Sequence, residues 1–298
     1  MTEKPSLDLR SRGDHYDRAF GWLAAGAAAL VLLVLGLIAL VMTARAWPVM
    51  REFGGDFFAG MRWFPADDPA DASFGALPFV WGTLYTAAIA VALSVPVSLG
   101  VALFITQIAP ARTRRMLVYV IDLLAVVPSV VFGLWGILVL VPHLGASFLT
   151  AGIILAIMIT PIITSLAREV IETTPPNEKE AAFALGATRW EMITGSILPH
   201  SKGGLVGAVM LGLGRAMGET IAAALVIGSA TNQVTWHPLA AGYSMPSVIA
   251  NEWGEANEMH KSALIALAVV LFVITIVVNL IATAIVRRSM VKSRGKVA

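Results

Sequence analysis

Two charged residues inside an apolar segment are the chain's sharpest candidates for chemistry. Arg215 and Glu219 lie four residues apart in the sequence Gly-Leu-Gly-Arg-Ala-Met-Gly-Glu-Thr at positions 212–220. Charges in such a segment are costly, which makes them a functional-site hypothesis. A guanidinium presents a planar fork of donors that suits an oxyanion such as phosphate, and a neighbouring carboxylate would hold the fork and offset its charge. A structural ion pair that clips two helices together explains the same residues.

The residues around these charges are small. On a helix with about 100° per residue, small residues share a side with Arg215 and Glu219, glycines flank that side and larger residues lie opposite. The three groups are Gly204, Ala208 and Gly212; Gly207, Gly214 and Gly218; and Val206, Val209, Leu213 and Thr220. Small residues let a second backbone approach closely. We therefore expect both charges to face a partner helix or a cavity, and not lipid.

Composition places these charges in a membrane. Hydrophobic residues make up 57% of the 298 residues and charged residues 13%, whereas a soluble domain carries about 25% charge. A hydrocarbon core about 30 Å thick needs roughly 20 apolar residues per helix. The first apolar run is too long for a signal peptide, so we interpret it as a retained anchor. The sequence predicts an all-α membrane protein with six transmembrane helices near residues 20–42, 79–107, 116–141, 148–166, 203–229 and 262–286.

The distribution of lysine and arginine predicts the orientation. Basic residues concentrate in the N-terminal tail, in the loop after the second span, at residues 168–202 and in the C-terminal tail, all on one side of a six-span protein. The positive-inside rule places that side, with both termini, in the cytoplasm of a cell-membrane protein. Basic residues at helix ends also argue against nucleic-acid binding. Pro96 and Pro128 interrupt the second and third spans, either as simple kinks or as breaks that line a path.

The polar segment at residues 168–202 is predicted to form two short helices. Pro175 and Pro176 end the fourth span, and Asn177 is a good N-cap with Glu180 three residues later. Gly186 suits the position that follows a helix end. A second helix is predicted to begin with a capping box formed by Thr188 and Glu191 and to end at Gly195.

An ordered polar segment between spans suggests a docking site. The chain has no G-x-x-x-x-G-K-[ST] phosphate loop, so it does not hydrolyse nucleotide by that route. The segment would then be the docking site for a separate subunit that drives the membrane protein. An elbow that lies on the membrane surface is the alternative.

This segment resembles the EAA loop of ABC-importer permeases. The matching residues are Glu180, Ala181, Ala182, Gly186, Leu198 and Pro199, while Ser196 stands where the family usually has an apolar residue. The resemblance implies a type I ABC-importer permease fold, in which this segment, called the coupling loop below, seats in a nucleotide-binding subunit. It also implies that the chain is not an enzyme and binds no cofactor, because ATP and Mg are used by the partner ATPase.

Four segments resemble the PstC-type phosphate permeases of ABC importers. They are residues 74–84, 128–136, 180–199 and 212–220, in the family's order. The resemblance implies a subunit that imports inorganic phosphate by alternating access. It implies a heterodimer with a PstA-type permease, two copies of an ATPase and an extracytoplasmic phosphate-binding protein. It also gives Arg215 and Glu219 a part in phosphate movement.

Several alternatives remain at this stage. The chain could be a permease for sulfate or molybdate, or a stand-alone secondary carrier, although it shows no convincing internal repeat. A membrane enzyme is disfavoured because no nucleophile–base pair or metal cluster occurs within the spans. Copurification of an ATPase would separate the permeases from the other two classes.

The sequence also predicts the residues of a substrate path and a division of the chain into regions. Hydroxyl groups and bare backbone can hydrogen-bond phosphate, which adds Ser129 and Gly133 to the path, with simple packing as the alternative for both. The path then comprises Arg215, Glu219, Thr220, Ser129 and Gly133, and no metal site is predicted. Residues 230–261 would receive the binding protein or form an interfacial tryptophan belt. The predicted divisions are an N-terminal region at 1–73, a permease core at 74–290 with its coupling loop at 168–202, and a basic tail at 291–298.

Overall fold

A computed structural model of the chain describes residues 14–66 and 71–294. The tail residues 1–13 and 295–298, used above for orientation, lie outside this part. A short antiparallel hairpin, β1 Trp63–Phe64 and β2 Ser73–Phe74, was not predicted. The helices in this part are α1 Asp14–Ala59, α2 Leu77–Leu103, α3 Ala111–Val126, α4 Ser129–Trp135, α5 Val141–Leu144, α6 Phe148–Glu172, α7 Pro176–Ala184, α8 Arg189–Met192, α9 Leu198–Gly218, α10 Ile221–Val226, α11 Met245–Glu252 and α12 Glu258–Arg294.

The predicted all-α membrane architecture is confirmed. Among the described residues, four helices are long and apolar enough to cross a membrane, and a fifth span is added if the bent pair 111–126 and 129–144 counts as one. The four are Ala19–Ala59, Leu77–Ile108, Phe148–Glu172 and Glu258–Ala284. The fifth predicted span, at residues 203–229, coincides with α9 and α10, neither of which meets that standard alone. Length and hydropathy in the structure therefore do not reproduce the count of six.

The core is arranged in three layers along α6, which packs between α2 and α9. We call the end of the bundle that carries the coupling loop the inner face, and the opposite end the outer face. Aromatic side chains dominate the outer layer, which includes Phe57, Phe74, Phe79, Phe148 and Tyr243. The middle layer includes Ala90, Leu155, Ile159, Ile163 and Met217. The inner layer includes Ala102, Ile171, Met192, Ile197 and Leu205.

The two prolines predicted to interrupt spans behave differently. Pro96 lies inside α2 without ending it, so a break at Pro96 was wrong and a simple kink there stays a prediction. Membrane helices tolerate one missing hydrogen bond when neighbouring helices pack against them. Pro128 separates α3 from α4, and the chain bends there by 91°. Val127 is extended, as a residue before proline prefers to be. The third span is therefore a broken helix.

The coupling loop forms two short helices, but their ends differ from the prediction. Asn177 is not the N-cap, because Pro176 occupies the first turn of α7 and Pro175 is the cap. A proline suits this position, since its fixed φ is helical and its missing N–H would have no partner. Gly195 does not end the second helix, because a π-helical turn at Ile193–Ile197 carries the chain from α8 into α9. We attribute this wider turn to Pro199, whose ring would clash with the fourth carbonyl before it in an α-helix.

Candidate functional site

The predicted fifth span is broken at its candidate site. Helix α9 ends at Gly218, Glu219 is extended with φ −71° and ψ 126°, and α10 begins at Ile221. The Glu219 carboxylate accepts a hydrogen bond from the Ala222 backbone N–H at 3.3 Å, at the start of α10. The single helix predicted over 203–229 was therefore wrong, because the extended Glu219 interrupts it and the Glu219 carboxylate bonds to the first turn of the helix that follows.

The expected pairing of Glu219 with Arg215 is not observed. Among the residues that the structure describes, the salt bridges within 4.0 Å include none between these two side chains. The pairing was predicted for two residues one turn apart on a continuous helix. The break turns the Glu219 backbone away from that geometry. The Arg215 guanidinium is thus left for another partner.

Arg215 lies at an open groove in the membrane part of the bundle. Its side chain is exposed, and it belongs to the last turn of α9, where a positive charge interacts favourably with the helix dipole. The groove has a volume of about 660 Å³ and lies between α6, α9 and α12. Its walls are formed by Ile162, Gly207, Met210, Leu211, Gly214, Arg215 and Asn279.

The small residues of α9 divide into two sets. A Cβ atom at Gly204 would lie 2.5 Å from Val170, and one at Gly212 would lie 2.6 Å from Ile163, so these glycines pack against α6. Within the described part of the chain, Gly207 and Gly214 have no neighbouring atom within 4 Å of an added Cβ, and both line the groove with Arg215. The prediction that Gly204 and Gly212 share the side of Arg215 was therefore wrong, whereas two glycines predicted only to flank that side line the groove with it. The side of α9 that carries Arg215 is open to the groove, and the adjacent side of α9 contacts α6.

The segments that follow the two helix breaks pack against each other. Helix α4, which follows the break at Pro128, packs against α10, which follows the break at Glu219. A Cβ atom at Gly133 would lie 2.7 Å from Leu225 Cδ1 and 3.1 Å from Ala222 Cα, so Gly133 permits this contact. Ser129 begins α4 and is half-buried. The structure thus gives Gly133 a packing role, and the substrate-path role of both residues stays a prediction.

Thr220 forms more hydrogen bonds through its backbone carbonyl than through its hydroxyl. Its carbonyl oxygen accepts hydrogen bonds from the Ala224 N–H at 3.0 Å and from the Ser247 hydroxyl at 3.3 Å. Its hydroxyl donates to the Gly218 carbonyl at 3.4 Å. The groove also contains Asn279, which the sequence analysis missed although a polar residue within an apolar span was a usable signal.

The coupling loop presents apolar side chains to solvent at the inner face. Leu185 is 89% exposed, Trp190 is 66% exposed and Phe183 is 47% exposed. Large exposed apolar patches mark interaction sites. Glu180, Ala181 and Pro199 are exposed beside them, whereas Ala182 and Leu198 are half-buried against the inner layer. Trp190 was missed by the sequence analysis, although an aromatic residue in a capped polar helix was visible there.

The local geometry holds this loop in shape. Gly186 has φ +82°, the left-handed conformation predicted for a residue after a helix end. The capping box predicted for α8 is confirmed, because the Thr188 hydroxyl accepts from the Glu191 N–H and the Glu191 carboxylate accepts from the Thr188 N–H. The hydrogen bonds that Thr188 donates from its backbone and hydroxyl lower the pKa of the Glu191 carboxyl. The apolar patch therefore sits on ordered backbone.

The fold and these sites define a multi-pass membrane permease. The chain belongs to the family described as binding-protein-dependent transport system inner membrane component, whose family model matches residues 94–291. The phosphate transport system permease protein PstC of Haemophilus influenzae is 39% identical, over 90% of this chain and 92% of its own length. PstC of Xylella fastidiosa is 39% identical over 94% and 93%, and PstC 2 of Mycobacterium tuberculosis 38% over 95% and 96%. The predicted resemblance to PstC-type permeases is thereby confirmed.

Solved structures support the same fold. An inward-facing structure of the MetNI methionine ABC transporter aligns with a TM-score of 0.59 at 18% identity, covering 72% of this chain and 96% of that chain. A crystal structure of an amino acid ABC transporter with histidines aligns with a TM-score of 0.51 at 19% identity, covering 72% and 94%. At this identity the likeness concerns the fold alone. The predicted type I ABC-importer permease fold is confirmed.

Proposed function

We propose that this chain is the permease subunit of an ATP-driven importer of inorganic phosphate. Relatives that align over nine-tenths of the chain are named phosphate transport system permease proteins. The observation that carries the proposal is the exposed Arg215 guanidinium on an open groove beside a broken helix. A free guanidinium at this depth is suited to a tetrahedral oxyanion, which it binds through two parallel N–H donors.

The groove offers an anion more than the charge of Arg215. Gly207 and Gly214 leave room for an anion to approach the backbone of α9 next to Arg215. Glu219, four residues further along the chain, would add a carboxylate near the site and would disfavour more highly charged anions. Backbone outside regular helix at Glu219 and Thr220 is tolerated in a membrane where it lines a cavity.

The breaks at Pro128 and Glu219 provide hinges for alternating access. Hinge residues are a few positions that absorb a backbone change while the packed helices move as rigid bodies. Because α4 packs against α10, a movement at one break is transmitted to the other. We propose that the path opens to the outer face and then to the inner face through these breaks, with Ser129 and Thr220 beside the passing anion.

The coupling loop is the proposed seat of the ATPase. Its exposed Phe183, Leu185 and Trp190 would be covered by a nucleotide-binding subunit, which uses ATP and Mg. The open side of the Arg215 groove would face a second, PstA-type permease in a heterodimer with two ATPase copies. An extracytoplasmic phosphate-binding protein would deliver phosphate at the outer face, and this chain itself would bind no cofactor.

The packing of the first and last helices supports the proposed topology. The Ser262 hydroxyl donates to the Arg45 carbonyl at 3.0 Å, so α1 and α12 lie side by side near the outer face. The N-terminal end of α1 and the C-terminal end of α12 therefore both point toward the inner face. Together with the basic residues at that face, this arrangement supports cytoplasmic termini.

Uptake of radiolabelled phosphate by phosphate-starved cells that depend on this chain tests the proposal. Arg215→Gln removes the charged fork, and we expect uptake to fall roughly 10- to 100-fold, the worth of one or two charge-assisted hydrogen bonds. Arg51→Gln, at an exposed arginine of α1, is the matched control and should leave uptake unchanged. Normal uptake by Arg215→Gln at equal membrane content would remove Arg215 from the path. Inhibition by excess unlabelled sulfate would favour a broader oxyanion permease.

A further inference from the structure

Helix α11 has a buried first turn that is hydrogen-bonded to the α9–α10 break. Its N-cap, Ser244, accepts a hydrogen bond from the Ser247 N–H at 3.4 Å, and the hydroxyls of these two serines are 2.7 Å apart. The Ser247 hydroxyl, which has 0% exposure, donates to the Thr220 carbonyl at 3.3 Å. On the other side, the Met245 N–H donates to the Thr83 hydroxyl of α2 at 2.9 Å. The position of Thr220 is therefore linked to that of α11.

The opposite end of α11 is held by a polar cluster at the outer face. The Glu252 carboxylate Oε2 accepts a hydrogen bond from the Trp63 indole N–H at 2.9 Å and lies 2.8 Å from His260 Nε2. Trp63 belongs to the hairpin after α1, and His260 belongs to the first turn of α12, so one carboxylate joins three segments. Both rings are nearly buried, with 4% and 6% exposure. We call Glu252, Trp63 and His260 the outer clasp.

The outer clasp borders a cavity that opens at the outer face. The cavity has a volume of about 340 Å³ and is lined by Pro65, Ala66, Asn251, Glu252, Glu255, Asn257 and His260. The backbone N–H of Trp63 also donates to Asn232 Oδ1 in the outer loop at 2.8 Å. A protein that docks on this face would therefore contact residues bonded directly to the outer clasp.

We propose that α11 positions the helix break from the outer face, with Ser247 and Glu252 as the positioning residues at its two ends. Eight residues of α-helix span about 12 Å, which is short enough to move as a rigid body. A displacement of Glu252 is therefore carried to Ser247 and to the Thr220 carbonyl beside the substrate groove. This inference rests on the proposed function, in which docking at the outer face starts the transport cycle.

The test measures how strongly a docked binding protein stimulates ATP hydrolysis by the assembled transporter. The complete complex is purified in lipid nanodiscs, and hydrolysis is measured without and with the phosphate-loaded binding protein. Ser247→Ala removes the bond to Thr220, and we expect the ratio of stimulated to basal rate to fall roughly two- to tenfold, the effect of one buried hydrogen bond on a two-state equilibrium. Ser247→Thr keeps the hydroxyl and should restore the ratio.

Ser98→Ala is the matched control. Ser98 is also fully buried and donates to a carbonyl, that of Thr160 at 3.1 Å, but it joins α2 to α6 away from α11. Both alanine variants lose a buried hydroxyl and its bond to a backbone carbonyl, and Ser247→Ala also loses the contact with the Ser244 hydroxyl inside α11. A purely structural role of the carbonyl bond predicts a similar ratio for both. At the other end, Glu252→Ala should lower the ratio, whereas Glu252→Gln keeps an acceptor oxygen and should retain most of it. The comparison of Glu252→Ala with Glu252→Gln tests the positioning role if the Ser247→Ala complex does not assemble.

The outcomes separate this inference from the function on which it rests. A wild-type complex that phosphate-loaded binding protein does not stimulate would overturn the proposed function. A stimulated wild type with an unchanged ratio in Ser247→Ala and Glu252→Ala would overturn the positioning role alone. An equal fall in Ser247→Ala and Ser98→Ala would also overturn it. A fall confined to the α11 variants, with rescue by the conservative replacements, would establish it.

Discussion

Gly82 on α2 offers a sharp test of how the outer part of the chain is packed. A Cβ atom at Gly82 would lie 2.1 Å from the Tyr243 carbonyl oxygen and 3.3 Å from the Phe148 ring. The closest atom belongs to backbone, so it cannot move aside as the end of a side chain would. We expect Gly82→Ala to push the segment before α11 away from α2 and to break the hydrogen bond from the Met245 N–H to the Thr83 hydroxyl.

The size of the effect follows from a comparison with Gly100, another glycine inside the same helix. A Cβ atom at Gly100 would have no neighbour within 4 Å. The gain in helix preference from glycine to alanine, about 0.5–1 kcal/mol, applies to both positions and cancels in their difference. Overpacking costs about 1–3 kcal/mol, and the lost hydrogen bond costs about 0.5–1.5 kcal/mol. Gly82→Ala should therefore be less stable than Gly100→Ala by about 1.5–4.5 kcal/mol.

The assay is equilibrium unfolding of the full-length chain in mixed micelles, with the free energy of unfolding extrapolated to zero denaturant. Gly100→Ala should match or slightly exceed the wild type, and Gly82→Ala should fall below both. Phosphate uptake by cells that express each variant at equal membrane content should show the same order. Equal free energies of unfolding for Gly82→Ala and Gly100→Ala would refute the packing of the Tyr243 segment on α2.

Two further predictions concern the coupling loop. Leu185→Asp should weaken copurification of the ATPase about 10- to 100-fold, because burying a leucine contributes about 1.5–3 kcal/mol. Leu239→Asp, at an exposed leucine of the outer face, is the control and should not weaken it. Equal recovery of the ATPase with both variants would remove Leu185 from the docking surface. The pKa of the Glu191 carboxyl is lowered from its usual value of 4.5 in the folded state. The stabilisation that it gives α8 is therefore fully present above pH 4.5 and is lost as the pH falls through the lowered pKa. Hydrogen-exchange protection of α8 should fall over that range in the wild type and stay constant in Glu191→Gln, and parallel curves would contradict the capping role.

Elements with a strong local signal could be predicted from the sequence. The capping box of Thr188 and Glu191 formed as expected, because both partners lie within one turn and need no other part of the fold. The left-handed Gly186 and the break at Pro128 have the same local origin. Apolar length located the core of each span, since a membrane imposes that length on any helix that crosses it.

Features that depend on neighbouring helices could not be predicted in this way. Nothing in the hydropathy of residues 203–229 indicates that the helix ends at Gly218, because the break is held by a bond from α10 to the Glu219 carboxylate and a bond from α11 to the Thr220 carbonyl. The helical wheel placed Arg215 correctly on a side with small residues but could not tell which of them touch α6. The outer clasp was invisible because Trp63, Glu252 and His260 come from segments up to 197 positions apart in the chain.

The two charges proposed for the substrate path differ in what a substitution would reveal. Arg215 has an exposed side chain on the groove, so its replacement tests binding directly. Glu219 also caps α10 through its bond to the Ala222 N–H, so its replacement disturbs the break itself. A loss of transport in Glu219→Ala therefore does not by itself identify a substrate contact. Because an amide oxygen can replace the cap but not the charge, only a comparison of Glu219→Gln with Glu219→Ala separates the two roles of this carboxylate.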